Sequence, residues 1–271
     1  MDDWGNRRLN SRRKMTITTK DEDCDKNERY GKICELIWNL KVSVNNSLPD
    51  GSTRKVIFPP VRRKKVALLI IGQSPNHNGV PDAATDREQT IQHTKRYEFI
   101  RRNLCSPFDD RLNHRHYEKL VAFVRQVDER LGVWWELAEL TKKLCVEFTD
   151  ALPLATIPRT GDFDSVIEQR NPMCPVRNSC KDILSAILDY YEPRVVLAHG
   201  WLPSTLLREL HAQNQDTLLS TSTFIVSEDK QRQIHLSRFI DDGLDEFCRD
   251  RLITEMKARW PFRRTEDLRG F

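Results

Sequence analysis

Residues 66–71 read Val-Ala-Leu-Leu-Ile-Ile and stop at Gly72. Six apolar residues are too few for a comfortable buried helix, and an unbroken apolar run means a strand covered on both faces. Comparable stretches recur at Leu144–Leu152, Val195–Ala198 and Phe224–Val226. Helical patterns separate them. In Lys181–Tyr191, the residues Ile183, Leu184, Ile187, Leu188 and Tyr191 fall on one face. Tyr117–Leu131, Glu136–Lys143, Ser204–Ala212 and Leu244–Lys257 are further helices by the same reading. Short apolar strands alternating with helices predict a three-layer α/β/α sandwich around a mostly parallel sheet.

The chain has 271 residues, enough for one large domain or two small ones. Residues 1–28 are polar and lack apolar periodicity, which predicts a flexible tail before a single domain over 29–271. Within that domain, Gly31–Leu40 carries a helical stripe of Ile33, Leu36, Ile37 and Leu40. With 31% charged residues and a net charge of +4, a polyanionic partner is compatible but not required. No apolar stretch approaches the roughly 18 to 20 residues of a membrane span. No apolar run follows the basic N-terminal residues to make a secretory signal, so the expectation is a cytoplasmic monomer without membrane contact. Seven cysteines contain no C-x-x-C pair, and their odd number argues for reduced, mostly buried thiols.

In open parallel sheets the ligand sits beyond the carboxyl ends of the strands. The first strand is followed by Gly72-Gln73-Ser74-Pro75-Asn76 and the second ends at Thr149-Asp150. The third ends at His199-Gly200, and His235-Leu236-Ser237-Arg238 stands near the C-terminus. Taken singly each has a plain explanation: a turn ending a strand, a loop cap, a satisfied core histidine.

Taken in order, they resemble the uracil-DNA glycosylase superfamily. Its members carry a strand followed by G-Q-D-P-Y or G-E-A-P-G, a middle strand ending in asparagine, a strand P-x-V-I-V-x-L-G, and a final H-P-S. The counterparts are GQSPN at 72–76, FTDALP at 148–153, PRVVLAHG at 193–200 and HLSR at 235–238, so the similarity covers about residues 60 to 258. The resemblance implies an enzyme that flips a nucleotide out of DNA and hydrolyses its N-glycosidic bond without a cofactor. It implies that His235 serves the departing base and that Gln73 and Ser74 lie beside the sugar. Pro75 and Asn76 would line the base, and Asp150 would read its edge. His199, Ser237, Arg238 and Phe239 would meet DNA, with Phe239 either a wedge in the base stack or a core residue. One branch holds an iron–sulfur cluster, but its earlier cysteines have no counterpart here, so no metal is expected.

The departures are informative. Ser74 replaces an aspartate and cannot serve as a carboxylate base, which leaves Asp82 and Asp86 of the following loop as candidates to activate water, with Glu88 also available. Asp150 replaces an asparagine. An ionised carboxylate only accepts hydrogen bonds, whereas cytosine offers its N4 amino group as a donor. Asn76 replaces the tyrosine that excludes C5 substituents. Together these predict a 5-substituted cytosine as substrate, such as hydroxymethylated or glucosylated cytosine of phage DNA, single-stranded or duplex. Two alternatives stay open: an ordinary uracil or deaminated-base glycosylase, and a noncatalytic DNA-binding module of the same fold. The basic run Arg62, Arg63, Lys64, Lys65 is a solvated strand entrance with nonspecific phosphate contact as a secondary role.

Overall fold

The computed structural model describes residues 7–47, 54–62, 65–74, 85–88, 90–91, 94–95, 122–124, 126–127, 146–155, 174–211, 223–226, 232–237 and 246–268, with the backbone alone at 7–23, 223–226, 237, 265 and 268. Its centre is a five-stranded sheet made of β1 (Leu68–Gly72), β2 (Val146–Asp150), β3 (Val195–His199), β4 (Thr223–Val226) and β5 (Gln233–Ser237). The strands lie in the order β2-β1-β3-β5-β4. Four of them run parallel, and β4 joins β5 antiparallel at one edge. The mostly parallel α/β architecture read from the sequence is the architecture found.

Side-by-side residues of a parallel pair share a face, so the register sorts the sheet into two surfaces. Leu69 and Ile71 of β1, Val196 and Ala198 of β3, and Ile234 and Leu236 of β5 are buried in one cluster with three helices. Those are α1 (Arg7–Ser47), α2 (Pro175–Tyr191) and α3 (Trp201–Leu210). From α1 come Ile33, Ile37, Leu40 and Val44, one residue per turn. From α2 come Ile183, Leu184, Ile187, Leu188 and Tyr191, the stripe expected from sequence. Leu68, Ile70, Val195 and Leu197 turn to the opposite surface and are equally buried. Helix α4 (Glu246–Arg259) buries Leu252, Ile253 and Met256, and the charge of its Arg259 is felt at His235 in β5.

Helix ends follow local chemistry. Pro175 opens α2, where its missing N–H would have had no intrahelical partner. Glu192 closes it in the left-handed region (φ 44°), its N–H donating to the Leu188 carbonyl at 3.0 Å.

Two elements extend beyond those read from the sequence. The short helix at 31–40 is part of a 41-residue helix that starts at Arg7, within the stretch assigned to a polar tail. No glycine or proline interrupts residues 7–30, so nothing in the local chemistry stops the helix. The segment 233–237 is a full strand although it reads Gln-Ile-His-Leu-Ser. Its alternation hides a strand that is buried on both faces, because one face is filled by a histidine. The helices expected at Glu136–Lys143 and over most of Tyr117–Leu131 lie outside the described residues.

Candidate functional site

All four parallel strands end on the same side, and the register sets their last residues in a row. Asp150 stands beside Gly72, and His199 stands beside Ser237. Ile71 of β1 pairs with Ala198 of β3, so the same register continued sets Gly72 next to His199. The row therefore reads Asp150, Gly72, His199, Ser237 across β2, β1, β3 and β5. It lies on the surface away from α1, α2 and α3.

Gly72 is the hinge of this row. A Cβ there would lie 2.6 Å from Asp150 Oδ1 and 3.7 Å from His199 Nε2. The carboxylate and the imidazole thus occupy the space above the one residue that has no side chain. Real Cβ atoms essentially never approach an oxygen to 2.6 Å, so any other residue at 72 would displace the Asp150 carboxylate. His199 is 4% exposed and Asp150 is half-buried.

Gln73 and Ser74 continue from β1. The ladder extends past the strand ends: Ala151 N–H donates to Gly72 O at 2.9 Å and Leu152 N–H to Gln73 O at 3.0 Å. The Gln73 side chain accepts from the Trp201 backbone N–H at 3.2 Å. That N–H belongs to the first turn of α3, whose N-cap is Gly200 (φ 108°) and brings no capping side chain of its own. Gln73 thus supplies a cap from another strand, satisfying an otherwise orphaned donor. This role was not visible in the sequence, because donor and acceptor are 128 residues apart.

His235 occupies the middle of β5, beside Leu197 and one row behind the edge, on the same surface as the row. It is 1% exposed, and burial first, then the positive charge of Arg259, pull its pKa down to about 3. The ring is therefore neutral at physiological pH.

Asp86 is committed elsewhere. Its Oδ1 accepts from Val56 N–H at 3.0 Å and its Oδ2 from Lys41 Nζ, tying the 54–58 segment to α1. Glu88 is committed as well: its carboxylate accepts from Thr85 N–H at 2.6 Å while Glu88 N–H donates to Thr85 Oγ1 at 3.2 Å. These bonds hold the Glu88 carboxyl below its ordinary pKa. The pattern Thr85-Asp86-Arg87-Glu88 is a capping box, a signal present in the sequence that explains Glu88 locally, whereas Asp86 is held by partners distant in sequence. Asp82, Pro75, Asn76, Arg238 and Phe239 lie outside the described residues, and Ser237 is placed by its backbone alone.

The opposite edge of the sheet is built differently. Arg62 Nε donates to Glu147 Oε2 at 2.5 Å, and Lys65 pairs with Glu192. The described members of the basic run are thus ion-paired at the amino ends of the strands, away from the row. A cleft of about 380 Å³ near this edge is lined by Arg29, Lys32, Ala186, Asp189, Glu192 and Arg232. Arg29 there pairs with Asp25 and Glu192, and Arg232 donates to the carbonyls of Leu188 and Pro193. Its two arginines are taken up by neighbours, so this cleft is a weaker candidate than the row.

Among the described residues, Cys24, Cys34, Cys174, Cys180 and Cys248 are unbridged, and burial pushes the Cys180 thiol pKa up. Among those residues, no group of three or more His, Cys, Asp or Glu could hold a metal and no helix is long and apolar enough to cross a membrane. Fold and site define an α/β protein with a carboxylate, an imidazole and an amide at the carboxyl edge of a parallel sheet. Neither a protein-family profile nor a curated protein sequence matches the chain.

Proposed function

We propose that this protein is a DNA glycosylase of the uracil-DNA glycosylase superfamily, acting on a 5-substituted cytosine such as the hydroxymethylated or glucosylated cytosine of phage DNA. The observation that carries the reading is the row itself. The segments GQS, FTD, HG and HLS, far apart in sequence, fall on four adjacent parallel strands, three of them at the strand ends and the fourth ending there at Ser237. Parallel α/β sheets bind ligands at that edge.

The chemistry follows from the groups present. A flipped cytosine offers its N4 amino group, and an ionised Asp150 can only accept. Uracil presents a carbonyl at the same place, so the carboxylate would reject it by leaving two acceptors facing each other. An imidazole then stabilises the negative charge that develops on the departing base. The resemblance points to His235 for that role; Asp86 is engaged with Lys41 and Val56, which favours Asp82 over Asp86 as the group that activates water. The working environment would be the cytoplasm, with DNA as the macromolecular partner.

The test is base release from duplex and single-stranded oligonucleotides carrying uracil, cytosine, 5-hydroxymethylcytosine or its glucosylated form, followed by alkaline cleavage of abasic sites. Release from a modified cytosine alone is the expected result. Release from uracil would retain the glycosylase and discard the cytosine pocket. DNA binding without any abasic product would identify a noncatalytic module.

A further inference from the structure

We infer that His199, with Asp150 as its carboxylate partner, is the imidazole that delivers a proton to the departing base, and that His235 supports the sheet behind it. The inference rests on the glycosylase reading and reassigns one role within it. Three observations carry it. His199 is the last residue of β3, a strand flanked on both sides, so its ring is held at the edge where a base would enter. Its Nε2 and Asp150 Oδ1 lie over the same glycine, 3.7 and 2.6 Å from the position of a Cβ on Gly72. His235 lies one row deeper, beside Leu197.

Both rings are buried, but His199 alone shares its glycine with a carboxylate, whose charge favours the protonated ring, and a carboxylate can accept from a base amino group. The deeper ring has the opposite surroundings. Burial and the charge of Arg259 keep His235 unprotonated, so it has no second ring proton to give.

The step balances as follows. When the bond between sugar C1′ and base N1 breaks, its electron pair moves into the base. His199 transfers its Nε2 proton to the base at O2 or N3, which leaves as a neutral molecule. Water adds to C1′ and gives up one proton, and that proton restores the imidazolium. Asp150 remains ionised throughout. The cytosine anion is a poorer leaving group than the uracil anion, so a proton donor here matches a cytosine-type substrate.

The experiment is single-turnover release of 5-hydroxymethylcytosine from a duplex oligonucleotide by the full-length protein and its H199Q and H235Q variants, with DNA affinity measured alongside. H199Q is expected to slow release by about 10² to 10⁴-fold. Its affinity for DNA should stay within about threefold, and the H235Q loss should be less than a tenth of that. On 5-fluorocytosine, whose anion is the better leaving group, the H199Q deficit should shrink by roughly tenfold. A deficit equal for both leaving groups, or a larger loss in H235Q, would overturn the assignment. If H199Q does not fold, H199N and the wild-type rates on the two bases replace it. A delivered proton makes the wild-type rate nearly insensitive to leaving-group acidity, and a steep dependence would count against it. A wild-type protein that releases no base from any oligonucleotide overturns the glycosylase reading. An active wild type with an unimpaired H199Q overturns this inference alone.

Discussion

Glu147 and Asp150 stand three residues apart on β2 and face opposite sides of the sheet. Glu147 is fully buried, with one carboxylate oxygen on Arg62 Nε and the other on the Phe148 N–H. It is matched by the chain alone and leaves nothing for a ligand to do. Asp150 is half-buried at the strand end, above a glycine and beside a histidine. One carboxylate maintains the fold, and the other is placed where a ligand can meet it. A buried acidic residue in a sheet is thus informative about function only once its face and its distance from the strand end are known.

The comparison can be broken most severely at Arg62. Removing it as Arg62→Met strands the buried Glu147 charge, which costs about 3–5 kcal/mol when one partner of a buried pair is lost. Since Arg62 is itself partly exposed, the lower end of that range is expected, read as a fall in the midpoint of denaturant unfolding. Base release per folded molecule should be unchanged; a selective loss of release would mean that the two faces are not separable.

Asp150→Asn tests the other carboxylate. The expected result is a loss of roughly 10²-fold in release of the modified cytosine, about 2.7 kcal/mol of transition-state stabilisation, with stability within about 1 kcal/mol of wild type. A variant that is unstable but fully active once folded would make Asp150 a second Glu147. Gly72→Ala sharpens the same point without touching a polar group. Its methyl would push the Asp150 carboxylate aside, lowering release while costing about 1–3 kcal/mol in stability through overpacking.

A smaller effect concerns pH. The folded-state pKa of His235 is depressed to about 3, below its ordinary value of about 6.5, so the unfolded chain binds the proton more readily. This contribution to stability is present in full above about pH 6.5. It is lost progressively as pH falls towards 3. Unfolding free energies across that window should fall less steeply for His235→Gln than for wild type, and parallel curves would show that the ring does not carry the effect. The smallest change is Asp86→Ala, which removes the contacts with Lys41 and Val56 N–H. About 1 kcal/mol of stability should go, with base release altered by less than about threefold. A hundredfold loss would return Asp86 to the chemistry.

The parts of this protein that sequence alone determined are those set by local, repeating chemistry. Unbroken apolar runs specify strands covered on both faces, and the stripe from Ile183 to Tyr191 specifies α2, because burial depends on periodicity that each segment carries by itself. The residues after β1, β2 and β3 could be named as site candidates because parallel topology sends every strand end to one side. The capping box at Thr85–Glu88 was equally legible, and it accounts for Glu88, an acidic residue that chemistry alone would leave open. Tertiary structure decided the rest. Only the register makes Gly72 the floor beneath Asp150 and His199, sets His235 a row behind the edge, and brings Gln73 to the first turn of α3. Those relations join residues tens to more than a hundred positions apart, and side-by-side pairing of strands is fixed by the packed sheet as a whole, not by any one strand's composition.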